Sequence, residues 1–277
     1  RNYTVGYEKL NARRTEWEWL LDRIFEQGKS LSALDRCIGQ EIKELGKPAF
    51  RHQIVLGLPE AIRGQKDWGE IDGREMDFSK EEDQIAATKW YIGELVERFK
   101  AAKFKHLELS GFYWVAEDTH HCAELTIPLS EYIHSEGKLF YWIPYWQSKG
   151  AEDWKALGFD VAYQQPNHFF NHSIPDSRLD EACATARRHG MAMEFEFDEK
   201  ATAAIPNSSH DRMAAYINHF EKNDVFNSSA VAYYCGNRGV LTLDESDNPK
   251  DKALMDRLAR IIQARRYLKY GIPMKNK

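Results

Sequence analysis

Residues 191–200 read M-A-M-E-F-E-F-D-E-K, and apolar and acidic positions alternate there with a period of two. Met191, Met193, Phe195 and Phe197 fall on one face of the strand this predicts, while Glu194, Glu196 and Asp198 fall on the other. A solvated edge strand mixes charge signs, but this stretch has no basic residue before Lys200. Inside a sheet such carboxylates must be paired, protonated or chemically employed, because burying a charge is costly.

The rest of the chain alternates helical and strand patterns. Thr15 and Glu18 stand at capping-box spacing and predict a helix with Trp17, Leu20, Leu21, Ile24 and Phe25 on one face, ended by Gly28. Ser32 and Asp35 open a second, with Leu34, Cys37, Ile38, Ile42 and Leu45 turned inward and Gly46 as its stop. Residues 52–58 read as a buried strand ending at Pro59. The long connection 60–78 carries D-W-G-E-I-D-G; connections of this length are usually functional or disordered, and Trp68 favours an ordered binding loop. Ser79 and Glu82 form another capping box, for a helix carrying Ile85, Ile92, Leu95, Val96 and Phe99. Further strands are expected at 105–115, 138–146, 159–166, 191–200 and 229–236. Between them lie helices, among them one opened by Ser208 and Asp211 that carries Met213, Tyr216, Ile217 and Phe220. A last helix starts at Asn248 and Pro249 and carries Leu254, Leu258, Ile261 and Ile262 on one face.

Alternation of this kind predicts an α/β fold with a parallel sheet, here a (β/α)8 TIM-type barrel forming a single domain over residues 1–277. Six strands are firm. The two still needed could come from residues 3–7 and 240–243, or from residues preceding this sequence, which begins at an arginine. An open doubly wound sheet is the rival, but it usually carries a glycine-rich phosphate turn, and no G-x-G-x-x-G or P-loop occurs.

Composition narrows the function classes. A hydrophobic fraction of 43% supplies an ample core, and aromatics reach 13%. The net charge of −5 argues against nucleic acid or an anionic membrane surface as partner. No apolar run approaches a membrane span. Four cysteines show no C-x-x-C spacing; Cys37 and Cys183 read as core residues, and no disulfide is demanded. No cofactor is implied.

In a β/α barrel the chemistry lies at the C-terminal strand ends. Those ends offer Pro59 and Glu60; Trp114, Glu117 and Asp118; Tyr145, Trp146 and Gln147; Gln164, Gln165, Asn167 and His168; Glu196, Asp198 and Glu199; Tyr234, Gly236 and Asn237. Aromatics stack on pyranose faces, amides bind hydroxyls in both directions, and paired carboxylates do acid–base work. The candidate catalytic set is Glu196 as nucleophile or base, Glu117 as acid and Glu194 as a tuning neighbour. Glu108 with Ser110 would add an interior carboxylate. Candidate substrate contacts are Trp68, Trp114, Tyr145, Trp146, Gln165, Asn167, His168, Asp198, Tyr234 and Asn237. Each has a plainer explanation: a strand-end glutamate can simply cap a helix, and tryptophans can pack between sheet and helices. Glu117, Asp118, His120 and His121 could bind a metal, although consecutive histidines lack the helical spacing of zinc peptidases. The expected partner is therefore a carbohydrate, with a glycoside hydrolase first, a non-catalytic carbohydrate-binding barrel second and a metal-dependent hydrolase third.

The segments W-E-W-L-L-D-R-I-F (17–25), L-S-G-F-Y-W-V-A-E (109–117), F-Y-W-I-P-Y-W (140–146), G-F-D-V-A-Y-Q-Q-P-N (158–167) and M-E-F-E-F-D (193–198) together resemble an uncharacterised bacterial domain-of-unknown-function family, number 4855. The resemblance runs from Trp17 to about Arg266. It implies a glycosidase-like fold and an extracytoplasmic protein of carbohydrate-degrading bacteria, and it carries over no catalytic residues.

Overall fold

Strand and helix alternate along the chain much as their periodicities predict, and every pairing among the long strands described is parallel. The structure is a computed structural model and describes residues 1–120 and 122–270. The chain packs as two units, one of Arg1–Trp142 with Ser148–Val161, the other of Ile143–Gln147 with the chain from Ala162 onward.

The first unit opens with α1 (Arg14–Phe25) and α2 (Ser30–Leu45) and continues through β1 (His52–Leu58), a small hairpin of β2 (Glu70–Ile71) and β3 (Arg74–Glu75), α3 (Glu81–Ala102), β4 (Leu107–Trp114), α4 (Ala123–Ser135) and β5 (Leu139–Trp142). Its sheet runs in the order β1-β4-β5. The capping box of α1 sits earlier than expected: Glu16 accepts the Arg13 N–H at 2.8 Å, while Glu18 pairs with Arg14 at 2.9 Å. In α2 the expected inward face is largely solvent-facing. Leu31 alone is buried there, Cys37 is exposed and Leu45 is 66% exposed, so Cys37 is not a core residue.

A bulge in β4 explains a second departure. Ile54 pairs with Leu109 and Val55 with Gly111, which leaves Ser110 as the extra residue. Before it Leu107 and Leu109 are buried; after it Phe112 and Trp114 take over, so the strand changes parity. Glu108 is consequently exposed and is no interior carboxylate. Next to the bulge, a Cβ built on Gly111 would lie 2.2 Å from the Leu139 carbonyl oxygen across the ladder. Backbone cannot yield as a side chain can, so Gly111→Ala is expected to destabilise the protein by about 3 kcal/mol, read from denaturant midpoints. A loss within about 0.5 kcal/mol, the range of ordinary surface substitutions, would show that the strands part at no cost.

The second unit holds β6 (Val161–Gln164, its first residue at the boundary), α5 (Ser177–His189), β7 (Ala192–Phe197), α6 (His210–Lys222), α7 (Val225–Ser228), β8 (Val231–Cys235), α8 (Gly239–Asp244) and α9 (Pro249–Tyr270). Here the sheet order is β6-β7-β8. Phe195 packs against Phe197, Tyr216, Phe220 and Tyr233, and Met213, Tyr216, Ile217 and Phe220 line the buried face of α6 as expected. Neither segment considered for the missing strands is one: residues 3–7 form turns and bends, and residues 240–243 lie within α8. All four cysteines are free.

Candidate functional site

Both faces of β7 are covered. Glu196 is fully buried, and Glu194 and Asp198 are 4% and 8% exposed. The carboxylate face predicted from the alternation thus lies in the interior, and the surrounding chain supplies donors to Glu196. Its Oε2 accepts the Tyr216 hydroxyl and, at 3.3 Å, the His168 N–H; Gln165 Nε2 stands 3.4 Å from Oε1. Burial pushes the Glu196 carboxyl above the usual range, opposed by Tyr216 and the backbone at His168 and Asn167. Tyr216 is raised well above an ordinary phenol, by burial first and by the charge of Glu196 next. Glu194 lies two residues deeper on the same face, and its charge also reaches that phenol.

The turn that supplies these donors is fixed in turn. Asn167 adopts a left-handed φ of 53°, which its short amide tolerates, and its Oδ1 accepts the Trp146 N–H at 2.6 Å. His168 has no exposure; burial lowers it to about 4, and its Nε2 donates to Asp176 at 2.8 Å. Arg212 on α6 donates to the carbonyls of His168, Asn171 and Ile174, stapling residues 168–174 to that helix. His168, expected as a sugar contact, is therefore part of the support beneath Glu196. Tyr216 and Arg212 escaped the sequence reading as site residues. The available signal was a tyrosine on a core helix face, since a buried phenol needs a polar partner.

The remaining candidates divide by exposure. Tyr145 and Tyr234 are 37% and 49% exposed, and Asn237 is exposed with its amide on Glu199 at 3.0 Å. Gln165 is half-buried, and Trp146 is half-buried with the Arg178 guanidinium 4.8 Å over its ring. Asp198 accepts the Lys200 N–H at 2.8 Å and so caps the turn after β7. Two tryptophans are corrected. Trp68 and Trp114 are each 1% exposed and offer no ring face to a sugar. The loop holding Trp68 is ordered as expected, but it is ordered by packing: Trp17, Phe78 and Trp90 surround the indole.

In the first unit, Glu117 follows β4 and is half-buried. Burial raises its carboxyl above the usual range, and the neighbouring Asp118 charge adds to this. Its segment is held by Trp142 Nε1 donating to the Ala116 carbonyl at 2.8 Å and by Thr119 on the Lys149 carbonyl at 2.9 Å. Glu60, after β1, is occupied with the N-terminal segment, accepting from Thr4 at 2.7 Å and the Val5 N–H at 3.0 Å. Among the described residues no group of three His, Cys, Asp or Glu side chains is arranged to hold a metal ion; His121 lies outside them.

As it stands, Glu196 presents neither oxygen to solvent. To act as nucleophile or base it needs Gln165 to swing aside, the one partner able to leave without disturbing backbone or helix core.

Two solved structures are similar to this chain at low identity. One bears the description "putative alpha-L-fucosidase", from Bacteroides thetaiotaomicron; it is 12% identical, with a TM-score of 0.46 over 93% of this chain and 89% of that one. The other is the carboxyl transferase domain of Rhizobium etli pyruvate carboxylase, also 12% identical, with a TM-score of 0.41 over 93% of this chain and 41% of that one. Likenesses this faint carry no argument about fold or chemistry. A search of the curated proteins found no match. The family model for a domain of unknown function, DUF4855, matches residues 3–260, nearly the whole chain, and the chain belongs to that family.

Proposed function

We propose that the chain is a glycoside hydrolase acting on a polysaccharide or oligosaccharide, with Glu117 as the general acid and Glu196 as nucleophile or base. The observation that carries this reading is the Glu196 carboxyl at the C-terminal end of β7, held by Tyr216, His168 and Gln165 and raised by burial. Glycoside hydrolysis requires one carboxyl to protonate the leaving oxygen and a second to attack or to activate water. Glu117 suits the first task, because a raised pKa keeps the proton available toward neutral pH. Glu196 suits the second once a substrate hydroxyl or water replaces the Gln165 amide, with Tyr216 and the His168 N–H fixing the other oxygen.

The complete burial of Glu196 favours a second reading, a carbohydrate-binding protein that cleaves nothing, in which this carboxylate braces the strand ends. Incubation with a panel of plant and host polysaccharides, with new reducing ends measured, separates the two. Product release from any member supports the hydrolase. Retention on a glycan with no product after prolonged incubation selects the second reading.

A further inference from the structure

We propose that Phe170 and Tyr234 form an aromatic platform for a pyranose ring of a neutral glycan, with Glu199 and Asn237 fixing its hydroxyls. Large aromatics seldom stand half in solvent side by side without a use, and here Phe170 is 50% and Tyr234 49% exposed. Their centroids are 5.7 Å apart with planes at 88°, so each ring holds the other in place and together they make a corner. Glycine at position 236 lets the Tyr234 ring pack closely beside Asp198 at the foot of that corner. A Cβ there would lie 3.0 Å from the Tyr234 ring and 3.0 Å from the Asp198 side chain.

The next residue closes the polar side. Asn237 Nδ2 donates to Glu199 Oε1 at 3.0 Å, whereas Glu199 Oε2 is shielded from solvent and accepts no hydrogen bond among the described residues. A carboxylate oxygen in that state calls for a donor. A sugar hydroxyl is such a donor, and the exposed Asn237 amide can turn to admit it. The Glu199 carboxyl is held below the usual range by its backbone hydrogen bond and by Asn237, so it stays ionised and repels uronic acids. Phe170 is not among the residues the strand ends offer, and Glu199 is among them without being an expected substrate contact. The position rests on this geometry, and the ligand class rests on the glycoside hydrolase reading.

Native gels cast with xylan, mannan, β-glucan or arabinogalactan test the platform, with polygalacturonate as the acidic comparison. Wild-type protein is expected to be retarded in at least one neutral gel and not by polygalacturonate. Phe170→Ala and Tyr234→Ala should each weaken that retardation about tenfold, and Tyr234→Phe, which keeps the ring, should preserve it. Both positions are half-exposed, so the thermal midpoints of the variants should match wild type and exclude misfolding as the cause. Retardation in no neutral gel, or retardation untouched by both alanine variants, overturns the platform. Retardation by polygalacturonate overturns the restriction to neutral sugars. Hydrolysis that ignores both rings sinks the platform and spares the hydrolase; ring-dependent retardation without products does the reverse.

Discussion

Glu117→Gln is expected to lower kcat/KM on a natural glycan by about 10²–10⁴-fold, the usual contribution of a general acid. The loss should be much smaller on an aryl glycoside whose phenolate leaves without protonation, because that substrate does not need the proton Glu117 supplies. The pH profile gives an independent reading. Burial and the Asp118 charge raise the Glu117 carboxyl, so the wild-type acid keeps its proton above the ordinary glutamate range. Activity should then fall as pH rises through that value, and this alkaline limb should vanish in Glu117→Gln. Asp118→Asn removes the like charge and should move the limb to lower pH. Equal losses on both substrate types, or a limb that ignores Asp118, would remove Glu117 from the mechanism.

The parts of this chain that were legible in its sequence are those where one local rule decides the outcome. β7 could be read because a period-two pattern with acids on one side assigns both faces of a strand, whatever covers them. The buried face of α6 and the C-terminal stop of α2 at Gly46, with a φ of 84°, follow equally local rules. The misses have non-local causes. The register slip at Ser110 is set by the partner strand, so the alternation around Glu108 runs unbroken in the sequence through a bulge that no residue in β4 announces. The length of its loop points to a binding role for Trp68, yet its surroundings come from α1 and α3. The apolar stripe of α2 is real in sequence and finds too little cover in its unit to be buried. At the site, the identity of Glu196 was legible and its partners were not, since Tyr216 lies twenty residues away on a helix face that reads as plain core.

Glu196→Ala is expected to destabilise the protein by about 4 kcal/mol, seen as a lower denaturant midpoint with an unchanged slope. Truncation leaves the Tyr216 hydroxyl, the His168 N–H and the Gln165 amide facing a dry gap, and each orphaned donor costs about 1–3 kcal/mol. Glu196→Gln should cost far less, because its carbonyl can still accept from Tyr216 and His168. Its new amide group can donate to Gln165 if that side chain flips, and Gln165 Oε1 is shielded and accepts nothing among the described residues. The pH dependence then tells the carboxyl from the amide. An acid whose pKa is raised on folding binds its proton more tightly in the native state, so its contribution is full below the unfolded glutamate value and is lost as pH rises through the folded one. Wild type should therefore lose stability relative to Glu196→Gln as pH rises from the ordinary glutamate range through the raised value of Glu196. A stability difference that stays flat across that interval would mean the carboxyl is ionised without penalty, and that its environment is far more polar than the covering of β7 implies. With a sloping difference and a folded Gln variant in hand, loss of turnover in that variant would belong to the chemistry of the carboxyl and not to collapse of the strand ends.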